Sequence, residues 1–331
     1  MKKIIITCCI VMLGFTLTSC ANENDSDFAK HEEITNMSQL PFDLTKLESE
    51  SKSYQTNPVF LSTTVEPLVQ EFEVNLNNLT VNSYENDYYL NYIDERGARI
   101  YSSSNDNTQL KSTQIEGGVQ VLYTMSNSKS PNEFSLELML SDDSELVVDE
   151  NNQYYVIDSN GDVEIYIGQP WAVDAIGDFV DTYYVVEENI IKQVIDYEGS
   201  NYPVQADPLF CTNTIDNGAT TWDSDYSSQG GSLKVVPTTC ARIYLIGMYI
   251  NPFQTLTVSL ALNVPLIADM YSETVNDYSY KTHITYNEDG ILDQFVCHAY
   301  NPFTTVKSSW NLEPWRPNVS LWDTYTSLCN P

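Results

Sequence analysis

The stretch DQFVCHAYNPFTTVKSSWNLEPWRPNVSLWDTYTSLCNP, Asp293 to Pro331, sets a Cys–His pair, three Trp and a final Cys within 39 residues of this 331-residue chain. His298 stands here with two carboxylates, Asp293 and Glu313, and two cations, Lys307 and Arg316. Arg242 lies upstream as a further cation in a region poor in basic residues. A histidine, two carboxylates and cations in one neighbourhood can serve acid–base hydrolysis or hold an anionic group. A structural reading competes, with Glu313 and Arg316 as a buried ion pair, Asp293 as a helix cap and His298 as a hydrogen-bonded residue beside a disulfide. No serine or free cysteine with a visible base accompanies the histidine, as nucleophilic catalysis would require. Whether the chain is an enzyme stays open on the sequence.

The cysteines bear on both readings. Of the seven, Cys8 and Cys9 fall in an N-terminal leader, Cys20 directly follows it, and Cys211, Cys240, Cys297 and Cys329 remain. An even number in an exported chain implies two disulfides, with three connectivities open. Cys211 with Cys240 and Cys297 with Cys329 is the preferred pairing, because each closes a loop within one local segment. Zinc is the alternative. It is disfavoured by the lack of any CxxC pair and by a total of three His, so no metal and no cofactor is expected.

Residues 1–19, MKKIIITCCIVMLGFTLTS, begin with Lys2 and Lys3, run through a short apolar stretch and end in small residues, the anatomy of a bacterial export signal. LTSC, Leu17 to Cys20, resembles the lipobox of bacterial lipoproteins. That resemblance implies acylation of Cys20 (a palmitate-type anchor) and membrane attachment without a spanning helix. Residues 20–54 read as the lipidated cysteine and an acidic, polar tether. Its opening, ANENDSDFAKHEE, is similar to the surface-export signal of Bacteroidetes lipoproteins, although ordinary linker composition explains it equally well. The implied location is the cell envelope, anchored to the outer membrane, with surface exposure open.

The formal net charge is −31 and becomes more negative once Lys2 and Lys3 leave with the leader. Phosphate backbones are bound through Lys and Arg, so nucleic acid is not an expected partner. A 42% hydrophobic and 12% aromatic composition supports two modest cores.

Residues 55–208 read as an antiparallel β domain, a sheet or small sandwich. Phe134, Leu136, Leu138 and Leu140 alternate along FSLELML, and Val163, Ile165 and Ile167 along VEIYI. Asn160-Gly161, between YYVID and VEIYI, is a strong hairpin signal. Further strands are expected at VQVLYT, TYYVVE and IIKQVIDY. Asp158, Asn160 and Asp162 present alternating oxygens, but Val163 and Gln169 stand where a calcium loop needs Gly and Glu, so a solvated turn is expected. Residues 209–230 read as a linker, and 231–331 as a smaller, disulfide-stapled, mixed α/β domain, giving an α+β chain. VSLWDTYTSLC reads as a short amphipathic helix capped by Asn318 or Ser320, with Leu321, Tyr325 and Leu328 on one face.

Two resemblances add to this. Pro170, Trp171, Ala172, Asp174, Ala175, Gly177, Thr182, Tyr184, Gln193, Val194, Tyr202, Pro203, Val204, Ala206, Asp207 and Pro208 resemble a PWAxDAxG…YPVxADP block of secreted actinobacterial proteins. There it closes a β region ahead of variable C-terminal domains. GSLKVVPTTCAR, DQFVCHAYNP, WNLEPWRPNVS and CNP resemble an uncharacterised domain of unknown function found at the C-terminus of secreted bacterial proteins. The second resemblance implies a domain and no reaction. Three functions follow as expectations: a cell-surface binding or interaction lipoprotein taking a carbohydrate or protein ligand, an interbacterial antagonism protein with a releasable C-terminal domain, and an envelope hydrolase using His298.

Overall fold

The computed structural model describes residues 73–76, 79–83, 88–103, 107–250, 264–276 and 287–331. The leader, Cys20 and the tether to residue 54 lie outside them. The described residues form two compact units, one running to Thr214 and including Thr238–Gly247, the other made of Ile215–Pro237 and the chain from Met248. The fold is α+β, with mostly antiparallel sheets first and helices toward the C-terminus.

The first unit holds β1 (Glu73–Leu76), β2 (Leu79–Ser83), β3 (Tyr88–Ile93), β4 (Arg99–Ser103), β5 (Thr108–Ile115), β6 (Gly118–Met125), β7 (Glu133–Met139) and β8 (Glu145–Val148). It continues with β9 (Tyr154–Ile157), β10 (Val163–Ile167), β11 (Trp171–Val173), β12 (Asp181–Glu187), β13 (Ile190–Asp196), β14 (Val204–Asp207) and β15 (Leu209–Cys211). One sheet has the order β1-β2-β7-β13-β12; the other runs β3-β4-β5-β6-β15-β10-β9-β8, with β14 paired to β6 and β11. Alternation puts Phe134, Leu136 and Leu138 of β7 inside, and they share a core with Val119, Val121 and Tyr123 of β6. Tyr123 stacks on Phe134 at 4.4 Å and Tyr154 meets Tyr184 edge-on, so aromatic pairs join the two sheets across the core.

Four turns of this unit repeat one device. Asp94, Asp149, Asp158 and Asp174 each accept from the backbone N–H groups two and four residues ahead. The residue three places on, Gly97, Asn152, Gly161 or Gly177, takes positive φ. A short acceptor followed by a residue that tolerates left-handed backbone closes each hairpin. The Asp158 carboxylate is thereby spent on its own turn. Its backbone hydrogen bond from Asp162 and the Asn160 amide hold its pKa below the usual carboxylate range. Asp174 also receives both the backbone and side-chain N–H of Asn201. Burial pushes its carboxyl up, and these bonds more than offset that.

Residues 209–230, expected as a linker, contain strands. β15 lies between β6 and β10 at the centre of the larger sheet. Helix α1 (Thr239–Ile250) follows after an excursion through Ile215–Pro237, and its first nine residues belong to the β unit. There the Tyr244 hydroxyl donates to Gln153 at 3.0 Å, Cys240 N donates to Glu116 O, and Cys240 is bonded to Cys211. The first disulfide therefore staples the β unit, not the C-terminal one. The close approach depends on Gly118, since a Cβ there would strike Phe210 O and stand 2.5 Å from Cys240 Sγ. Gly118→Ala is expected to destabilise the β unit by about 2–3 kcal/mol. A urea midpoint and the rate of Cys240 alkylation in the presence of dithiothreitol check it, the midpoint falling and the rate rising as the disulfide becomes accessible to the reductant.

The second unit is built on the sheet β16 (Thr221–Ser227), β17 (Gly230–Val235) and β18 (Trp310–Leu312), with α2 (Pro265–Asn276), α3 (Glu288–Tyr300), α4 (Pro302–Thr305) and α5 (Leu321–Thr326). Leu233 pairs with Leu312 and Val235 with Trp310, all four buried, while the intervening Lys234 is exposed. α5 starts at Ser320, whose hydroxyl accepts from Asp323 N as an N-cap. The helix ends at Thr326; Leu328 has φ +56° and is 62% exposed, so it leaves the apolar face assigned to it from spacing. No helix among the described residues is long and apolar enough to cross a membrane.

Candidate functional site

Helix α3 carries Asp293, Gln294, Cys297 and His298, and β18 with the turn after it carries Glu313 and Arg316. Cys297 is bonded to Cys329, which ties α3 to the chain just beyond α5. Gln294 makes a two-point pair with the backbone of Glu313: its Nε2 donates to Glu313 O at 3.1 Å and its Oε1 accepts from Glu313 N at 2.7 Å. That pairing fixes Glu313 against the helix. Its carboxylate, 1% exposed, then accepts from Arg316 Nε at 2.5 Å. The Arg316 Nη1 donates to Asn330 O and Pro331 O at 3.0 and 2.7 Å, and the guanidinium stacks over Trp315 at 4.6 Å. Asn287 adds a second fastening by donating to Pro314 O and Arg316 O. Both charges of the pair are thus engaged in holding the polypeptide.

His298 is 2% exposed and lies parallel to the buried Trp310 ring at 5.9 Å. Thr304 and Thr305 hydroxyls donate to its carbonyl, and Trp310 Nε1 donates to Thr304 O. Neither ring nitrogen has a hydrogen bond of good geometry, although the Asn311 backbone and Asn330 amide lie beside it and act to raise its pKa. Burial dominates, the Lys307 charge adds to it, and the pKa falls to about 3. The imidazole is therefore neutral at physiological pH. Asp293 sits mid-helix, half-buried, and not at a cap. Burial, with Asp289 one turn before it, raises its pKa to about 6. It makes no ion pair among the described residues.

The structure brings Glu313 and Arg316 into contact and places Lys307, itself exposed, near enough to bias His298. Arg242 lies in the first nine residues of α1, in the β unit, where it donates to Thr239 Oγ1. Sequence reasoning missed Gln294, Asn287 and the Thr304–Thr305 pair. Gln294 stood next to Asp293 in DQFVCH, but its partner is a backbone segment whose position only the fold defines. Among the described residues no group of three or more His, Cys, Asp or Glu could hold a metal ion.

Residues 218–331 match a family described as protein of unknown function (DUF2599). The match contains every residue of this cluster, starts ahead of β16 and does not reach the 168–208 block. Comparison with curated proteins and with solved structures gave no match.

The matched region has a pH signature. His298 has a folded pKa below its unfolded value of about 6.5, so unfolding takes up a proton between those two values. The stability that the neutral ring contributes is complete above about pH 6.5 and is lost as pH falls toward the folded pKa. The C-terminal unit is expected to have a lower urea midpoint at about pH 5 than at about pH 7.5, by less than His298 alone would give because Asp293, with its raised pKa, favours the folded state as pH falls. His298→Asn is expected to abolish or reverse the difference.

Proposed function

We propose that the protein is a lipid-anchored lipoprotein of the bacterial envelope whose C-terminal region binds a surface saccharide and does not turn it over. The observation that carries the reading is the burial of His298 against Trp310, neutral and closed to solvent. Cys297 and Cys329 are oxidised, Glu313 is occupied by Arg316, and no nucleophile and base are left exposed together in the cluster. What the unit does present is aromatic surface around the β16–β17 hairpin. Tyr226 is 41% exposed, with its hydroxyl accepting from Asn311 Nδ2 at 3.1 Å, and Trp222 and Trp315 are partly exposed beside Gly231 and Gly230. Fixed aromatic rings with an amide at hand suit the apolar face and hydroxyls of a sugar. The strong negative charge of the chain favours a neutral saccharide over an anionic one. Cys20, in LTSC, supplies the anchor in this reading.

The test is calorimetric titration of the soluble chain from Ala21 onward with polysaccharide prepared from bacterial envelopes. Saturable binding that is lost in Tyr226→Ala and kept in His298→Asn supports the reading. Glycan turnover that disappears in a folded His298→Asn variant overturns it.

A further inference from the structure

The path of the chain around Cys211–Cys240 has a consequence for proteolysis. Residues 215–237 leave the β unit to supply β16 and β17, and Thr238–Gly247 returns to it. The neck of this excursion is closed twice: Thr238 N donates to Thr214 O at 3.0 Å and Thr238 Oγ1 to Asn213 O at 2.8 Å, and just outside them lies the disulfide. The excursion itself is open to solvent, with Ser224, Asp225, Tyr226, Ser228 and Gln229 exposed. Both cysteines are 0% exposed, and Ile243, Tyr244, Leu245 and Ile246, which follow on α1, are buried as well.

We propose that Cys211–Cys240 is a retention clasp, so that a backbone cut anywhere between the two cysteines leaves the C-terminal region attached to the β unit. Hydrolysis of one peptide bond adds one water and leaves the S–S bond intact. Detachment then needs a thiol reductant as a second reactant. Its thiolate must attack one sulfur and expel the other, and a dithiol completes the exchange by closing to its own disulfide, passing two electrons to the protein. Burial of both sulfurs keeps that attack slow while β15 and α1 stay in place. The exposed hairpin can thus be nicked without shedding the region that follows it, and release after such a nick takes a second event, reduction of the disulfide.

The experiment inserts a specific protease recognition sequence between Ser228 and Gln229 of the soluble chain, cleaves it to completion, and compares three conditions. In denaturant without reductant, one species with the mass of the intact chain plus one water is expected; two separate fragments overturn the proposal. In native buffer with dithiothreitol, a single eluting species with Cys211 and Cys240 unalkylated is expected; prompt alkylation of both, with separation into two species, overturns it. In denaturant with reductant, two fragments are expected, which verifies the cut. A nicked Cys211→Ser/Cys240→Ser variant should separate in denaturant alone, and if that variant does not fold the dithiothreitol condition still decides.

Discussion

Arg316→Ala is expected to destabilise the C-terminal unit by about 3–5 kcal/mol, the scale seen when one partner of a buried pair is removed. The asymmetry of the pair sets the size. Glu313 is 1% exposed at its side chain and Arg316 26%, so the variant strands a desolvated carboxylate with no cation. The same substitution removes two hydrogen bonds to Asn330 and Pro331 and the stacking on Trp315. Glu313→Gln should cost less, because the amide is neutral when buried and Arg316 keeps its carbonyl partners. Combining the two should recover part of the loss in Arg316→Ala. Urea unfolding followed by tryptophan fluorescence measures this, and a change under about 1 kcal/mol for Arg316→Ala would show that the pair is solvated and not buried.

The second large effect belongs to the other fastening. Cys297→Ser/Cys329→Ser opens a loop spanning 32 residues, and loops of that length are worth about 3–4 kcal/mol in the chain-entropy account. The loss should concentrate in α5, a six-residue helix too short to persist alone, where Trp322 stacks on Tyr325. Amide exchange across 321–326 should accelerate strongly, while β6, β7 and β13 in the other unit keep their protection. Uniform acceleration in both units would mean that the disulfide supports something larger than this corner.

The elements that the sequence made visible are those whose cause is local. Alternation along FSLELML places Phe134, Leu136 and Leu138 on the core face, and Asn160-Gly161 closes its hairpin from within. VEIYI departs from the expected alternation: its register shifts between Val163 and Ile165, and Tyr166 is buried with Ile165 and Ile167. Ser320 caps α5 through an N–H three residues away. The pairing of the four cysteines also followed from proximity along the chain. β15 was hidden for the opposite reason: three residues ending in a cysteine carry no periodicity, and Leu209–Cys211 is a strand only because β6 and β10 lie on either side. α1 is apolar on nearly every face, so its sequence shows a buried helix but not which unit buries it. The recurring Asp turns did carry a readable signal, an Asp with Gly or Asn three places on at 94, 149, 158 and 174. At the candidate site, Glu313 with Arg316 was legible because three positions separate them. Gln294 on the Glu313 backbone and Trp310 against His298 depend on α3 and β18 meeting, which spacing does not encode.

The structural role of the C-terminal cluster turns on the state of one imidazole. NMR titration of the His298 ring in the folded, soluble chain measures it directly. A ring that stays neutral from about pH 8 down to about pH 5, with its resonances nearly constant, is the predicted result, since burial carries the pKa to about 3. A midpoint near the ordinary value of about 6.5 would place the ring in contact with water, contradict the structural role given to the cluster, and return His298 to acid–base chemistry.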